Sequence, residues 1–88
     1  MTKFDYEKIM QIDTVVHCDT YEKAINLLKW ADSIGLEWCD SDSYLNNAWG
    51  TYKEETCYYF YKGMYDYRNY YNMHGYKIHK YEDVIVKK

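Results

Sequence analysis

The spacing of apolar residues changes from a strand pattern to a helix pattern within residues 14–35. Val15 and Val16 are β-branched and favour an extended strand, which we expect to span Thr14–Cys18. The apolar residues that follow lie on one face of a 3.6-residue helix: Ala24, Leu27, Leu28, Ala31 and Ile34. The sequence therefore predicts an amphipathic helix over residues 20–34, whose apolar face needs a partner.

Polar residues and glycine mark both ends of this helix. Asp19 and Thr20 can each accept a hydrogen bond from the first free N–H groups, and Glu22 completes a capping box with Asp19. Gly35 can adopt the left-handed conformation that closes a helix C-terminus. The sequence thus predicts both ends of the helix as well as its buried face.

Most of the chain after Gly35 has the character of strands and turns. The predicted strands are Leu36–Cys39, Thr56–Lys62, Met64–Arg68 and Tyr76–Lys80. Residues 40–47 are rich in Asp, Ser and Asn and predict a loop, and residues 70–75 predict a second connection. If the first two strands are parallel neighbours, the helix is their right-handed crossover, whereas hairpin-connected strands are antiparallel.

These elements predict an α+β fold in the order β-α-β-β-β-β. One amphipathic helix packs on a mostly antiparallel sheet of four to five strands. The chain has no linker or internal repeat, so we expect a single domain over residues 1–88. Residues 1–13 are expected to form an N-terminal arm or a short helix over Tyr6–Gln11.

The composition supplies unusual material for such a sheet. The 88 residues include thirteen tyrosines, and 20% of the chain is aromatic although its mean hydropathy is −0.74. Because tyrosine packs its ring and keeps its hydroxyl in water, we expect most of the tyrosines to be structural. The remainder are candidates for an interface, where Tyr and Trp often act as anchors.

Charge is unevenly distributed along the chain, whose net charge is −3. Residues 37–55 carry five acidic side chains and one lysine, a net charge of −4. Residues 76–88 carry four lysines and two acids, a net charge of +2, and Arg68 is the single arginine of the sequence. Neither imbalance makes a clearly basic face, so we expect no direct DNA binding.

The cysteines and the apolar runs indicate a reducing compartment. Cys18, Cys39 and Cys57 are odd in number and have no CxxC spacing. The N-terminal segment lacks the pattern of a signal peptide, and no apolar run approaches the length of about 20 residues needed to cross a membrane. We therefore expect a cytoplasmic protein with reduced thiols and no membrane partner.

No motif for catalysis, a metal or a cofactor emerges from the spacing of reactive residues. His17 and Cys18 are adjacent on a predicted strand and point to opposite faces, and no paired ligands occur at zinc-knuckle spacing. A Cys39, His17 and Asp40 set can be assembled, but nothing marks the thiol as activated. We expect no metal, no cofactor and no enzymatic activity.

Two binding hypotheses remain open. The first is an acidic and aromatic surface for a basic protein partner, formed by Asp40, Asp42, Trp49, Tyr52, Glu54 and Glu55. The second is a nucleotide site in which rings stack on the base and Arg68 holds phosphate, with Trp38, Trp49, Tyr70 and Tyr71 as the aromatic candidates. A homo-oligomer is compatible with the second hypothesis.

Five segments within residues 15–85 stand out: VVHCDTYEKAINLLKW, GLEWC, the W-x-x-Y-K-E-E-T-C-Y stretch from Trp49 to Tyr58, GYKI and YEDVI. Together they resemble a group of small proteins encoded by bacteriophages and prophages of Gram-positive hosts. The segment before Val15 departs from this group. The resemblance implies an anti-defence factor in the cytoplasm of an infected host. Such a factor would either inhibit a host defence protein, as anti-CRISPR proteins do, or act as an oligomeric sponge for a nucleotide-derived immune signal.

Overall fold

A four-stranded sheet organises the computed structural model, which describes residues 3–38 and 49–86. The strands are β1 (Thr14–His17), β2 (Thr56–Tyr59), β3 (Met64–Tyr67) and β4 (Lys77–Lys80), in the spatial order β3-β2-β1-β4. β2 is antiparallel to both β1 and β3, whereas β1 and β4 are parallel. The predicted α+β class with a mostly antiparallel sheet is confirmed.

The helices lie on both faces of this sheet. They are α1 (Tyr6–Ile9), α2 (Tyr21–Ser33), α3 (Trp49–Tyr52) and α4 (Arg68–Met73), with 3-10 turns at Lys53–Glu55 and Tyr81–Val84. The predicted amphipathic helix is α2. Its N-cap is Thr20, whose side chain accepts a 3.2 Å hydrogen bond from the Lys23 amide, and Gly35 follows its last turn with φ +87°.

Three details differ from the expected element order. Residues 36–38, the described part of the predicted second strand, belong to none of the four strands. The segment expected as a connection at residues 70–75 contains most of α4, which ends before Gly75 at φ +78°. The parallel neighbour of β1 is β4, the last strand, and not the strand directly after α2. The packing of α4 and the pairing of β1 with β4 share a physical reason, because both depend on contacts between segments that are distant in sequence.

The face of the sheet that α2 covers, called here the α2 face, carries the larger core. Val16 on β1 lies opposite Tyr58 on β2, and both pack against the apolar stripe of α2. The buried members of that stripe are Ala24, Leu27, Leu28 and Ala31. Ile34, the fifth residue of the predicted stripe, is 46% exposed because the helix ends before it.

The opposite face of the sheet, called here the α4 face, carries a smaller core under α4. Val15 and Cys57 are fully buried there, and Tyr71 of α4 packs against them together with Tyr59. Tyr76 and Ile78 extend this cluster and are half-buried. The pleat places Val15 and Val16 on opposite faces, so both valines of the first strand are core residues.

Loss of the hydroxyl is expected to have different effects on the free energy of unfolding at two neighbouring tyrosines of β2. The Tyr58 hydroxyl is buried without a hydrogen-bond partner among residues 3–38 and 49–86, and burial raises the pKa of this side chain. The Tyr59 hydroxyl donates to the Ile12 carbonyl. We expect Tyr58→Phe to leave the free energy of unfolding unchanged or raise it by up to about 1 kcal/mol, because no bond is lost. Tyr59→Phe is expected to lower it by about 0.5–1.5 kcal/mol.

Urea denaturation of the two variants and the wild type measures this difference. The two substitutions remove the same atom from adjacent residues of one strand, so each is the control for the other. Equal losses for both variants would contradict the assignment of the Tyr58 hydroxyl as unpaired.

Candidate functional site

A groove of about 650 Å³ lies on the α4 face, beside α4 and over the parallel pair β1 and β4. Its volume is within the range of about 300–1,000 Å³ that ligand sites usually have. His17, Ile78 and Lys80 contribute from the strands, and Arg68, Asn72 and Tyr76 from α4 and the segment after it. Asp19, Lys23 and Glu82 complete the lining. The groove therefore combines charged and polar side chains with an apolar patch at Tyr76 and Ile78.

The parallel pairing explains why these residues meet. His17 ends β1 and Lys80 ends β4, and the two residues are direct partners in the register. Asp19 and Glu82 each follow two residues later. Because the carboxyl ends of parallel strands meet at one edge of a sheet, side chains from distant parts of the chain converge there, and this is a common position for ligand sites.

Lys23 is held between two carboxylates at this edge. Its Nζ lies 2.8 Å from Asp19 Oδ1 and 2.5 Å from Glu82 Oε2. The hydrogen bond from Lys23 is the main cause that lowers the pKa of both Asp19 and Glu82, and the two carboxylates in turn raise the pKa of Lys23. The two carboxylates and one ammonium leave this part of the groove with a local charge of −1.

Arg68 and Lys80 are the cations of the groove that remain available to bind a ligand. Neither forms a salt bridge or a side-chain hydrogen bond with any residue in ranges 3–38 and 49–86. The His17 ring is fixed beside Lys80, because its Nε2 donates a 2.7 Å hydrogen bond to the Glu54 carbonyl. A guanidinium and an ammonium facing one cavity can bind an anion, and the fixed guanidinium fork suits phosphate or carboxylate.

The thiol near the groove is not suited to nucleophilic chemistry. Cys57 belongs to the buried cluster of the α4 face, and burial raises the pKa of its thiol to about 12. Burial also raises the pKa of Cys18, which packs on the α2 face. Both side chains are free thiols. Because the thiolate is the reactive form, these cysteines act as small core residues.

The residues of the predicted acidic surface are partly described. Asp40 and Asp42 lie outside the described residues. Trp49 is half-buried with its ring 6.4 Å from that of Tyr21. Tyr52 is half-buried against β3, with its ring 4.1 Å from that of Tyr67.

Glu54 and Glu55 follow in the 3-10 turn and are both exposed. Trp49, Tyr52, Glu54 and Glu55 therefore form one continuous surface segment.

The residues of the predicted nucleotide site do not meet at one place. Trp38 is buried in the α2-face core, with its ring 5.3 Å from that of Tyr65. Tyr71 is buried in the core of the α4 face, and Trp49 packs against the α2-face core. Tyr70 is exposed beside His74, at a ring distance of 4.4 Å. Of the five predicted residues, Arg68 alone lines the groove.

Nothing in the sequence marked the other groove residues as members of a binding site. His17 and Lys80 appeared as ordinary strand residues, and Asp19 appeared as a helix cap. Their convergence depends on the parallel register of β1 and β4, which joins segments more than 60 residues apart. A sequence pattern of two short strands, each followed by an acid two residues later, is too common to identify the site.

Comparisons of the chain with protein-family models, with curated proteins and with solved structures find no match. Within the two described ranges, no group of His, Cys, Asp and Glu side chains has the arrangement of a metal site. None of the helices in these ranges has both the length and the apolar character needed to span a membrane. The groove is therefore the feature of the described residues that bears most directly on function.

Proposed function

We propose that this chain is a non-enzymatic binding protein that holds a small phosphate-bearing ligand of the nucleotide type in the groove on the α4 face. The observation that carries the proposal is the pair of cations, Arg68 and Lys80, which line a cavity of ligand size without an ion-pair partner in the described part of the chain. A charge that faces a cavity without a protein partner is the arrangement that anion recognition requires.

The surroundings of the two cations support a compact ligand over an extended nucleic acid. A nucleic-acid surface usually presents many cations along one face. Here the groove also contains Asp19 and Glu82, which would repel a continuous phosphate backbone. A ligand with one phosphate group or a short phosphate chain presents fewer negative charges to these carboxylates than a continuous backbone does.

The biological setting of the proposal comes from the resemblance to small phage and prophage proteins. In that setting the protein acts in the cytoplasm of an infected host and sequesters a nucleotide-derived immune signal. Sequestration requires tight binding of the ligand without its turnover.

Ligand binding is expected to depend on Arg68. We expect ADP and inorganic pyrophosphate to raise the melting temperature, because a ligand at 100 times its Kd stabilises the folded state by about 2.7 kcal/mol. Arg68→Ala is expected to lower the affinity at least roughly tenfold, since it removes a charge-assisted contact. Isothermal titration calorimetry measures the affinity of the wild type and of Arg68→Ala for each ligand.

Lys29→Ala is the matched control, because Lys29 is an exposed cation of α2 that does not line the groove. The control is expected to bind like the wild type. The proposal fails if no phosphate compound binds, or if Arg68→Ala and Lys29→Ala have the same affinity as the wild type.

A second candidate function is inhibition of a host defence protein through the surface of Trp49, Tyr52, Glu54 and Glu55. It is favoured by two adjacent exposed carboxylates beside aromatic rings that are only half-buried. Capture of partners from host lysate, with analysis of small molecules released on heating, separates the two candidates. A stoichiometric basic protein favours the second, and a released nucleotide favours the first.

A further inference from the structure

The lining of the groove carries charges of both signs, and this restricts the ligand further than the presence of a cavity does. Arg68 and Lys80 provide positive charge without an ion-pair partner among the described residues. Asp19 and Glu82 hold Lys23 between them, so their part of the groove has a net negative charge. A ligand that is anionic throughout would be attracted by the two cations and repelled by the two carboxylates.

The carboxylates retain capacity to accept hydrogen bonds. Lys23 contacts Asp19 through Oδ1 and Glu82 through Oε2, and each carboxylate also accepts a hydrogen bond from its own backbone N–H, so that two of its acceptor positions are used. An ionised carboxylate offers about four acceptor positions. Because both carboxylates contact the same ammonium, they lie close together, and they can accept from two neighbouring donors of one ligand.

Sugar hydroxyls match this arrangement. A carboxylate that accepts hydrogen bonds from ribose hydroxyls is a recurring feature of nucleotide sites at the carboxyl ends of parallel strands. In this groove the carboxylates follow the ends of β1 and β4 by two residues each. The half-buried Tyr76 ring and Ile78 also line the groove and provide an apolar patch against which a flat group can pack.

We infer that the groove binds a nucleoside phosphate, with its phosphates at Arg68 and Lys80 and its sugar hydroxyls at Asp19 and Glu82. This inference rests on the proposed function, because it assigns the ligand class of the same groove. It makes the carboxylates determinants of specificity, and it excludes inorganic phosphates and polyphosphates as the preferred ligands.

Titration of three probes tests the inference: ADP, 2′,3′-dideoxy-ADP and inorganic pyrophosphate. For the wild type we expect ADP to bind at least roughly tenfold more tightly than either of the other two, because only ADP offers both the phosphates and the hydroxyls. All titrations are made at one fixed ionic strength, since salt screens these contacts.

The double variant Asp19→Asn and Glu82→Gln is expected to reduce the preference for ADP over dideoxy-ADP and to raise the affinity for pyrophosphate. ADP loses its charged acceptors, so its advantage over dideoxy-ADP is expected to fall to less than about threefold. Pyrophosphate is expected to bind about threefold or more tightly than it does to the wild type, because two repelling charges disappear and Lys23 is released. Glu22→Gln, an exposed carboxylate of α2 outside the groove, is the control and is expected to behave like the wild type.

The possible outcomes distinguish this inference from the proposed function. Equal binding of ADP, dideoxy-ADP and pyrophosphate to the wild type, with loss of all three in Arg68→Ala, overturns the inference and leaves the anion site in place. An unchanged preference for ADP in the double variant also overturns it. Failure of all three probes to bind overturns both. The wild-type comparison decides the question even if the double variant does not fold.

Discussion

Replacement of Leu27 by alanine is expected to lower the free energy of unfolding by about 2–5 kcal/mol. Leu27 is fully buried in the α2-face core, where the apolar stripe of α2 meets Val16 and Tyr58. The substitution removes three carbon atoms and leaves a cavity that the surrounding rings cannot fill without moving. A domain of this size has a total stability of about 4–13 kcal/mol, so the loss is a large fraction of it.

Ile34→Ala is the matched control for this prediction. Ile34 belongs to the same apolar stripe in the sequence but is 46% exposed after the end of α2. Its loss is expected to be below about 1 kcal/mol. Urea unfolding followed by circular dichroism measures both variants, and similar losses at the two positions would contradict the described end of α2.

The sequence predicted the elements whose signals are local. The period of 3.6 residues located α2, and the β-branched Val15 and Val16 located β1. The aromatic run before Gly63 located the hairpin of β2 and β3. In each of these cases the residues that make the element also bury its face, so pattern and structure agree.

The sequence did not predict α4 or the parallel pairing of β1 with β4. Arg68–Met73 contains asparagines and tyrosines, which are weak helix formers, and six residues are too few for a helix that is stable alone. The helix exists because Tyr71 packs onto Val15, Cys57 and Tyr59. Such a contact joins distant segments, and spacing along the chain cannot reveal it.

The same limit applies to the candidate site. Arg68 could be singled out because it is the single arginine of the sequence, and it does line the groove. Asp19, Lys80 and Glu82 could not, because only the register of β1 and β4 brings them together.

The aromatic candidates were difficult to assign from the sequence for another reason. A tyrosine or tryptophan has the same sequence signal in a core as at an interface, and Trp38 and Tyr71 belong to cores on opposite faces.

Tyr71 provides the second large expected effect, because its ring is the main attachment of α4. It is 2% exposed, and its ring lies 5.0 Å from that of Tyr76 and 6.1 Å from that of Tyr59. We expect Tyr71→Ala to lower the free energy of unfolding by about 3–5 kcal/mol. Hydrogen exchange is expected to show the largest loss of protection in residues 68–76, since α4 has little helical stability of its own.

The same substitution is expected to abolish ligand binding, because Arg68 and Asn72 are carried by α4. Tyr71→Phe separates the packing of the ring in the core from any contribution of the hydroxyl to binding. It retains the ring in the core, so we expect a folded protein with the affinity of the wild type for ADP. If Tyr71→Phe folds normally but binds ADP at least tenfold more weakly, the hydroxyl contributes to binding beyond the packing of the ring, which would contradict this expectation. Unchanged binding instead assigns Tyr71 to the support of the groove wall, and leaves recognition to the charged side chains that α4 and the parallel strands bring together.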